Sequence, residues 1–252
     1  MIFYFSGCGN TALMASHLGE ILHEPLIRID ANTPMEFNAT AQKRIIWAFP
    51  IYSWGVPREL KRFIGSVKIL GAETINHFMV ATCGDDAGVA DRVWENLIRA
   101  RRWKPQAAHT VIMPNTYVCL PGFDTDSEQL TAEKLAKAPE RIAQVAHAIK
   151  CNSNISQITR GHLAWVKTHV IYPMFMRFLT SPKPFRASDE CNGCGLCSRT
   201  CPNSNITILN GRPQWDTKCA LCLSCYHRCP QKAINYGKST LGKGHYFAPK
   251  KF

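Results

Sequence analysis

The chain holds 252 residues, 46% of them hydrophobic, which is more than one typical domain needs, so two compact units are expected. Its formal net charge of +12 is uneven, with 16 Lys and Arg against 15 Asp and Glu in residues 1–150 but 14 against 3 in residues 151–252. The opening Met1-Ile2-Phe3-Tyr4-Phe5 has no basic segment or cleavage site, and no run suits a bilayer span, so a cytoplasmic protein without a transmembrane segment is expected.

Residues 1–150 alternate apolar strand-like runs with helical stretches. Candidate strands are Met1–Phe5, Pro25–Ile29, Arg44–Ile51, His77–Cys83 and His109–Met113; candidate helices are Thr11–Leu22, Pro57–Ile64, Gly88–Ala100 and Thr131–Ile149. This alternation predicts an α/β flavodoxin-like doubly wound five-stranded parallel sheet with helices on both faces. Residues 151–186 read as a connector, opened by Asn152-Ser153-Asn154 and closed by Ser181-Pro182-Lys183-Pro184. Within it, Leu163–Leu179 is apolar but carries Lys167, His169, Pro173 and Arg177, too short and charged to cross a bilayer. A helix packing the two units together is the simpler reading, and a membrane-surface or partner-docking helix the other.

Residues 187–252 read as a small α+β unit built on an internal repeat. CNGCGLCSRTCP at 191–202 returns as CALCLSCYHRCP at 219–230, each Cys and the following Pro 28 positions on. Twelve cysteines in a long chain without an export signal point to metal ligation rather than disulfides. The scattered Cys8, Cys83, Cys119 and Cys151 read as buried apolar fillers. The spacing C-x2-C-x2-C-x3-C-P lets three thiolates on one tight loop reach three irons of a cubane, and in two-cluster ferredoxins the fourth Cys ligates the other cluster. Two [4Fe–4S] clusters are therefore expected, one on Cys191, Cys194, Cys197 and Cys229 and one on Cys219, Cys222, Cys225 and Cys201. Structural zinc sites have no use for the repeated third Cys and Cys-Pro. Between the halves, Ile206–Leu209, Asn210-Gly211 and Pro213–Trp215 predict a hairpin.

Three loops at expected strand ends suit a flavin phosphate and ring. Ser6, Gly7, Cys8, Gly9, Asn10 and Thr11 follow the first strand and open the first helix, where free N–H groups and the helix dipole attract an anion. Pro50, Ile51, Tyr52, Ser53, Trp54 and Gly55 follow the third strand, and Thr82, Cys83, Gly84 and Asp85 the fourth, on the ligand-binding edge of open α/β sheets. Trp54 can cover a ring face, residues 83–85 can bond its rim, and Tyr117 can form a second wall or simply pack.

On these residues the chain resembles a flavodoxin, and more closely the flavodoxin–ferredoxin fusion proteins of anaerobic bacteria and archaea. The resemblance also takes in Phe-Arg-Ala-Ser-Asp before Cys191 and the Gly-Lys-Gly at 242–244. It implies FMN and two [4Fe–4S] clusters in one electron path. Cys8 departs from the Thr usual in flavodoxins, replacing a hydroxyl by a poor donor.

The leading expectation is an electron-transfer flavo-iron–sulfur protein; the alternative is an FMN-dependent reductase of a quinone, nitro compound or tetrapyrrole. A third reading has structural or sensing clusters beside a vestigial flavin site. His77, His109 and Asp85 form no acid–base constellation, and no GxGxxG follows a strand. The basic second half fits an acidic redox partner, a ferredoxin, flavodoxin or flavoenzyme, or an electron-accepting enzyme, with Arg199, Lys218, Arg228 and Lys232 as docking candidates. No nucleic-acid motif accompanies the charge, and a homodimer is compatible with the sequence.

Overall fold

A computed structural model describes all 252 residues. In chain order the first unit comprises β1 (Ile2–Tyr4), α1 (Asn10–Leu22), β2 (Leu26–Arg28), β3 (Glu36–Asn38), β4 (Arg44–Pro50), α2 (Arg58–Ser66), β5 (Lys68–Leu70), β6 (Asn76–Cys83), α3 (Ala90–Ala100), β7 (Lys104–Ile112) and α4 (Glu128–Lys150). Five strands form one parallel sheet in the order β2-β1-β4-β6-β7. The order reverses between β1 and β4, so the unit is flavodoxin-like and doubly wound, and its switch point lies where these two strands end.

The strands are apolar on both faces because both are covered. Phe3, Phe5, Trp47, Phe49 and Met79 pack on one side with Leu60 and Phe63 of α2 and Trp94 and Ile98 of α3. Their neighbours Ile2, Ile46, Ala48, Phe78 and Val80 pack on the other with Leu13 and Leu18 of α1 and Ile142, Val145 and Ile149 of α4. This is the period-two alternation of a strand, and each large side chain buried this way contributes about 1.5–3 kcal/mol. His77 belongs to the first core: Trp47 Nε1 donates to His77 Nδ1 at 3.0 Å, and His77 Nε2 donates to Ala72 O at 2.9 Å.

Some boundaries differ from expectation. The last strand begins at Lys104 rather than His109, and the unexpected β3 and β5 pair as a separate two-stranded ribbon. The fourth helix starts at Glu128, where Ser127 Oγ accepts from Leu130 N at 3.2 Å, and runs through Pro139. Cys8, Cys83 and Cys119 are buried, but Cys151 is exposed and is no apolar filler.

The connector is helical from Ala164 to Phe178, with a π turn at Lys167–Ile171. Pro173 follows that turn; it has no N–H to donate, and a widened turn is a common accommodation. In the last unit β8 (Phe185–Ala187) pairs with β11 (Ile234–Tyr236), and β9 (Ile206–Leu209) with β10 (Arg212–Trp215). Asn210 (φ 50°) and Gly211 (φ 73°) are both left-handed, as the expected two-residue hairpin turn requires. No helix is long and apolar enough to cross a membrane.

The last unit sits on the sheet's switch point. Cys8, Val118 and Cys119 share an apolar cluster with Ile206, Leu221, Leu223, Tyr226 and Ile234. The C-terminal segment then returns over the first unit, with Ala248 N donating to Cys8 O at 3.0 Å and Tyr246 OH to Asn10 Oδ1 at 2.8 Å.

Candidate functional site

The cysteine repeat builds two small cavities. Cys191, Cys194, Cys197 and Cys229 line one, and Cys201, Cys219, Cys222 and Cys225 line the other, so the fourth Cys of each half crosses to the opposite set. Left-handed residues recur with the repeat, Gly193 and Gly195 in one half and Leu221 and Leu223 in the other, turning each loop around its cavity. Backbone N–H groups approach the sulfurs at equivalent positions: Asn205 N to Cys201 Sγ at 3.3 Å and Ala233 N to Cys229 Sγ at 3.4 Å. No three side chains converge as a single ion requires. Four thiols around a small void are a soft donor set, of the kind that suits iron–sulfur ligation.

A third cavity, of about 890 Å³, opens at the ends of β1, β4 and β6. Ser6, Gly7, Cys8, Asn10, Thr11, the run Pro50–Trp54, the run Thr82–Asp85 and Tyr117 all line it. Gly9 and Gly55 do not: Gly9 (φ 95°) lies beneath Phe247 and Ala248, and Gly55 against the Tyr172 ring, so close packing accounts for both glycines.

The 6–11 loop fits an anion. None of the backbone N–H groups of Ser6 to Thr11 donates a hydrogen bond within the chain, although residues 6–9 are buried. No Lys or Arg lines the cavity, so an anion there would rest on these N–H groups and the positive end of α1. The hydroxyls are engaged locally: Thr11 Oγ1 lies 2.8 Å from Thr82 Oγ1, and Ser6 Oγ accepts from Ala12 N at 3.2 Å. Cys8 Sγ donates to Cys222 O at 3.2 Å. Burial pushes the Cys8 thiol up to about 12, so it keeps the proton it donates.

Ser53 and Trp54 are both left-handed, in a turn closed by paired Tyr52 and Gly55 backbone bonds and by Thr168 Oγ1 donating to Trp54 O at 2.8 Å. Lys167 Nζ stands 5.0 Å from the Trp54 ring centroid, so the other ring face is the one left for a ligand. Tyr117 packs edge-on against Phe123 and Phe175, and its buried hydroxyl has no partner. Neither His77 nor His109 lines the cavity.

Two walls of the cavity escaped sequence reasoning. Connector residues Ile171, Met174, Phe175, Phe178 and Leu179 form one, and Leu120 and Phe123 with Ala220–Leu223 extend the other. An aromatic run in a connector was the available signal. Cys222 lines both the second cysteine cavity and this one. Of the docking candidates, Arg199, Lys218 and Lys232 are exposed, but Arg228 is not free: its guanidinium stacks 3.7 Å from the Phe247 ring centroid.

No family model matches the chain. An uncharacterized polyferredoxin-like protein of Methanocaldococcus jannaschii is 40% identical over 63 residues, a stretch that is 25% of this chain and 28% of that protein. The chain thus spans little more than a quarter of that relative's length. Similar solved structures are a flavodoxin from Streptococcus pneumoniae (TM-score 0.34, 14% identity, 57% of this chain and 97% of that one) and the Trp repressor binding protein from Bacillus subtilis (0.36, 15%, 56% and 96%). An azoreductase from Bacillus anthracis gives 0.37 at 10% identity over 57% of this chain and 97% of its own. The fold assignment rests on the strand order. The chain joins a flavodoxin-like α/β unit to a segment carrying a doubled ferredoxin-type cysteine motif.

Proposed function

We propose that the chain is an electron-transfer flavo-iron–sulfur protein, with FMN in the large cavity and a [4Fe–4S] cluster in each cysteine-lined site, serving an acidic redox partner or an electron-accepting enzyme. Cys222 carries this reading, because its residue borders both the second cysteine site and the large cavity. When bound, FMN supplies both one- and two-electron redox chemistry and each cluster one-electron chemistry.

The chain's residues would divide the work. Backbone N–H groups of Ser6–Thr11 and the α1 N-terminus hold the phosphate; Trp54 and Tyr117 wall the ring; the backbone of 83–85 borders its rim. The second cysteine set sits inside, against the cavity, with Cys225 buried. The first set is outermost, with Cys194 exposed and Arg199 donating to Cys194 O at 3.0 Å. An acidic partner approaching there meets Arg199 and Lys232.

The test is an anaerobic redox titration with optical and EPR detection, counting iron, sulfide and FMN on one sample. About eight irons and one FMN per chain, the flavin responding together with the clusters, is the expected result. The same iron without flavin would reject the FMN assignment. A small-molecule reductase is the second reading, favoured by the apolar part of the cavity at Leu120, Phe123, Met174 and Phe178. Turnover of a quinone or nitro compound with no protein partner present would select it.

A further inference from the structure

The connector helix turns an apolar face to solvent. Leu163 (75% exposed), just before it, and Trp165 (63%), Val166 (38%) and Val170 (44%) within it are exposed without lining the large cavity. The inward positions carry polar handles: Thr168 bonds Trp54 O, and Tyr172 OH donates to Val56 O at 2.6 Å. A surface helix of a globular protein normally shows the reverse arrangement, and a contiguous exposed apolar stripe marks an interaction surface.

Charge says what kind of surface it meets. From Arg141 to Ser188 there is no Asp or Glu, while seven Lys and Arg are present. Arg160 and Lys167 are neutralised by Asp91 and Asp86, but Arg177, Lys183 and Arg186 are exposed and form no ion pair. Large apolar residues flanked by unpaired cations suit an anionic lipid surface, where contact is non-directional.

We propose that the connector helix is an interfacial anchor, lying flat on an anionic bilayer with Leu163, Trp165 and Val170 in the acyl boundary and Arg177, Lys183 and Arg186 among the headgroup phosphates. Its length forbids spanning. Because Ile171, Met174 and Phe178 also line the large cavity, docking sets that side of the cavity at headgroup depth.

Full-length protein is sedimented with vesicles of phosphatidylcholine alone and of phosphatidylcholine mixed with phosphatidylglycerol. Binding to the mixed vesicles is expected about tenfold or more above the neutral ones. Trp165→Ser with Val170→Ser should weaken it about tenfold, and Arg177→Glu with Lys183→Glu should remove the preference for anionic lipid. None of these four residues lines the cavity, so iron and flavin content should stay at the parent value. Protein left in the supernatant with both vesicles overturns the proposal. Binding that survives the Trp165/Val170 change also overturns it, pointing to the general basic surface. Self-association abolished by that change, without vesicle binding, assigns the face to a second copy of the chain and overturns the lipid reading.

Discussion

Gly7 has no room for a side chain, since a Cβ there would stand 2.5 Å from Cys222 O and 2.8 Å from Cys222 Cβ. The nearer atom is backbone and cannot rotate aside. Gly7→Ala should therefore force the 6–11 loop away from the second cysteine site, costing about 1–3 kcal/mol and lowering the FMN content of purified protein. Unchanged melting temperature and flavin content would contradict this. A contrasting case is Leu223, left-handed (φ 59°) where the first half of the repeat has Gly195. Leu223→Gly would relieve about 1–2 kcal/mol of backbone strain but give up about 1.5–3 kcal/mol of burial. Leu223 is 3% exposed, so burial should win and the variant should unfold at lower denaturant concentration than the parent. The repeat was legible in the sequence, but the strained conformation of its leucines was not, because φ depends on what the loop encloses.

At the scale of elements, the C-terminal segment holds one wall of the cavity in place. Lys243 Nζ donates to Val118 O, Leu120 O and Phe123 O at 2.7, 2.6 and 2.7 Å, and Leu120 and Phe123 face the cavity. Hydrogen bonds from a charged donor contribute about 1.5–3 kcal/mol each, and Lys243→Met leaves three carbonyls without theirs. The expected outcome is faster amide exchange across residues 118–124 and quicker FMN release, with iron content unchanged. Exchange rates equal to the parent's would refute the strap. The Gly-Lys-Gly was visible in the sequence as part of a resemblance, yet its physical task was not, because its acceptors lie more than a hundred residues away. The connector illustrates the same limit: its apolar character was plain, but which face it buries was decided by Thr168 and Tyr172 finding Trp54 and Val56.

For the whole molecule, three buried histidines set a pH dependence: His227, lowered to about 4 by burial, and the two of the first unit. Burial lowers His77 from the ordinary 6.5 to about 4, against a weaker upward pull from its bond to Ala72. His109 is lowered to about 4 by burial and then by Arg141, and neither ring nitrogen has a partner. All three are neutral in the fold and protonate more readily in the unfolded chain. Stability is therefore lost as pH falls from about 6.5 towards 4, by up to about 1.4 kcal/mol per pH unit for each histidine, and this contribution levels off below that window. Urea midpoints measured across this range should drop with pH, and His109→Phe, which removes no hydrogen bond, should flatten the slope. A midpoint independent of pH between 7 and 5 would exclude all three groups as the cause.

What the amino-acid order determined unaided was whatever depends on short-range spacing. Strand and helix periodicity marked the α/β unit, the 28-residue offset marked two equivalent cysteine loops, and Asn210-Gly211 marked the hairpin. What only tertiary structure decided was how these parts meet. Cys8 reads from sequence as a weakened phosphate-loop residue, but in the fold its thiol is turned to Cys222 O and joins the two units. Arg228 reads as a docking cation, but it lies over Phe247. Whether the cysteine loops face the 6–11 loop could not be read from either segment alone, because that contact joins residues more than two hundred positions apart and is set by the packing of Leu221, Leu223 and Tyr226 on Val118 and Cys119.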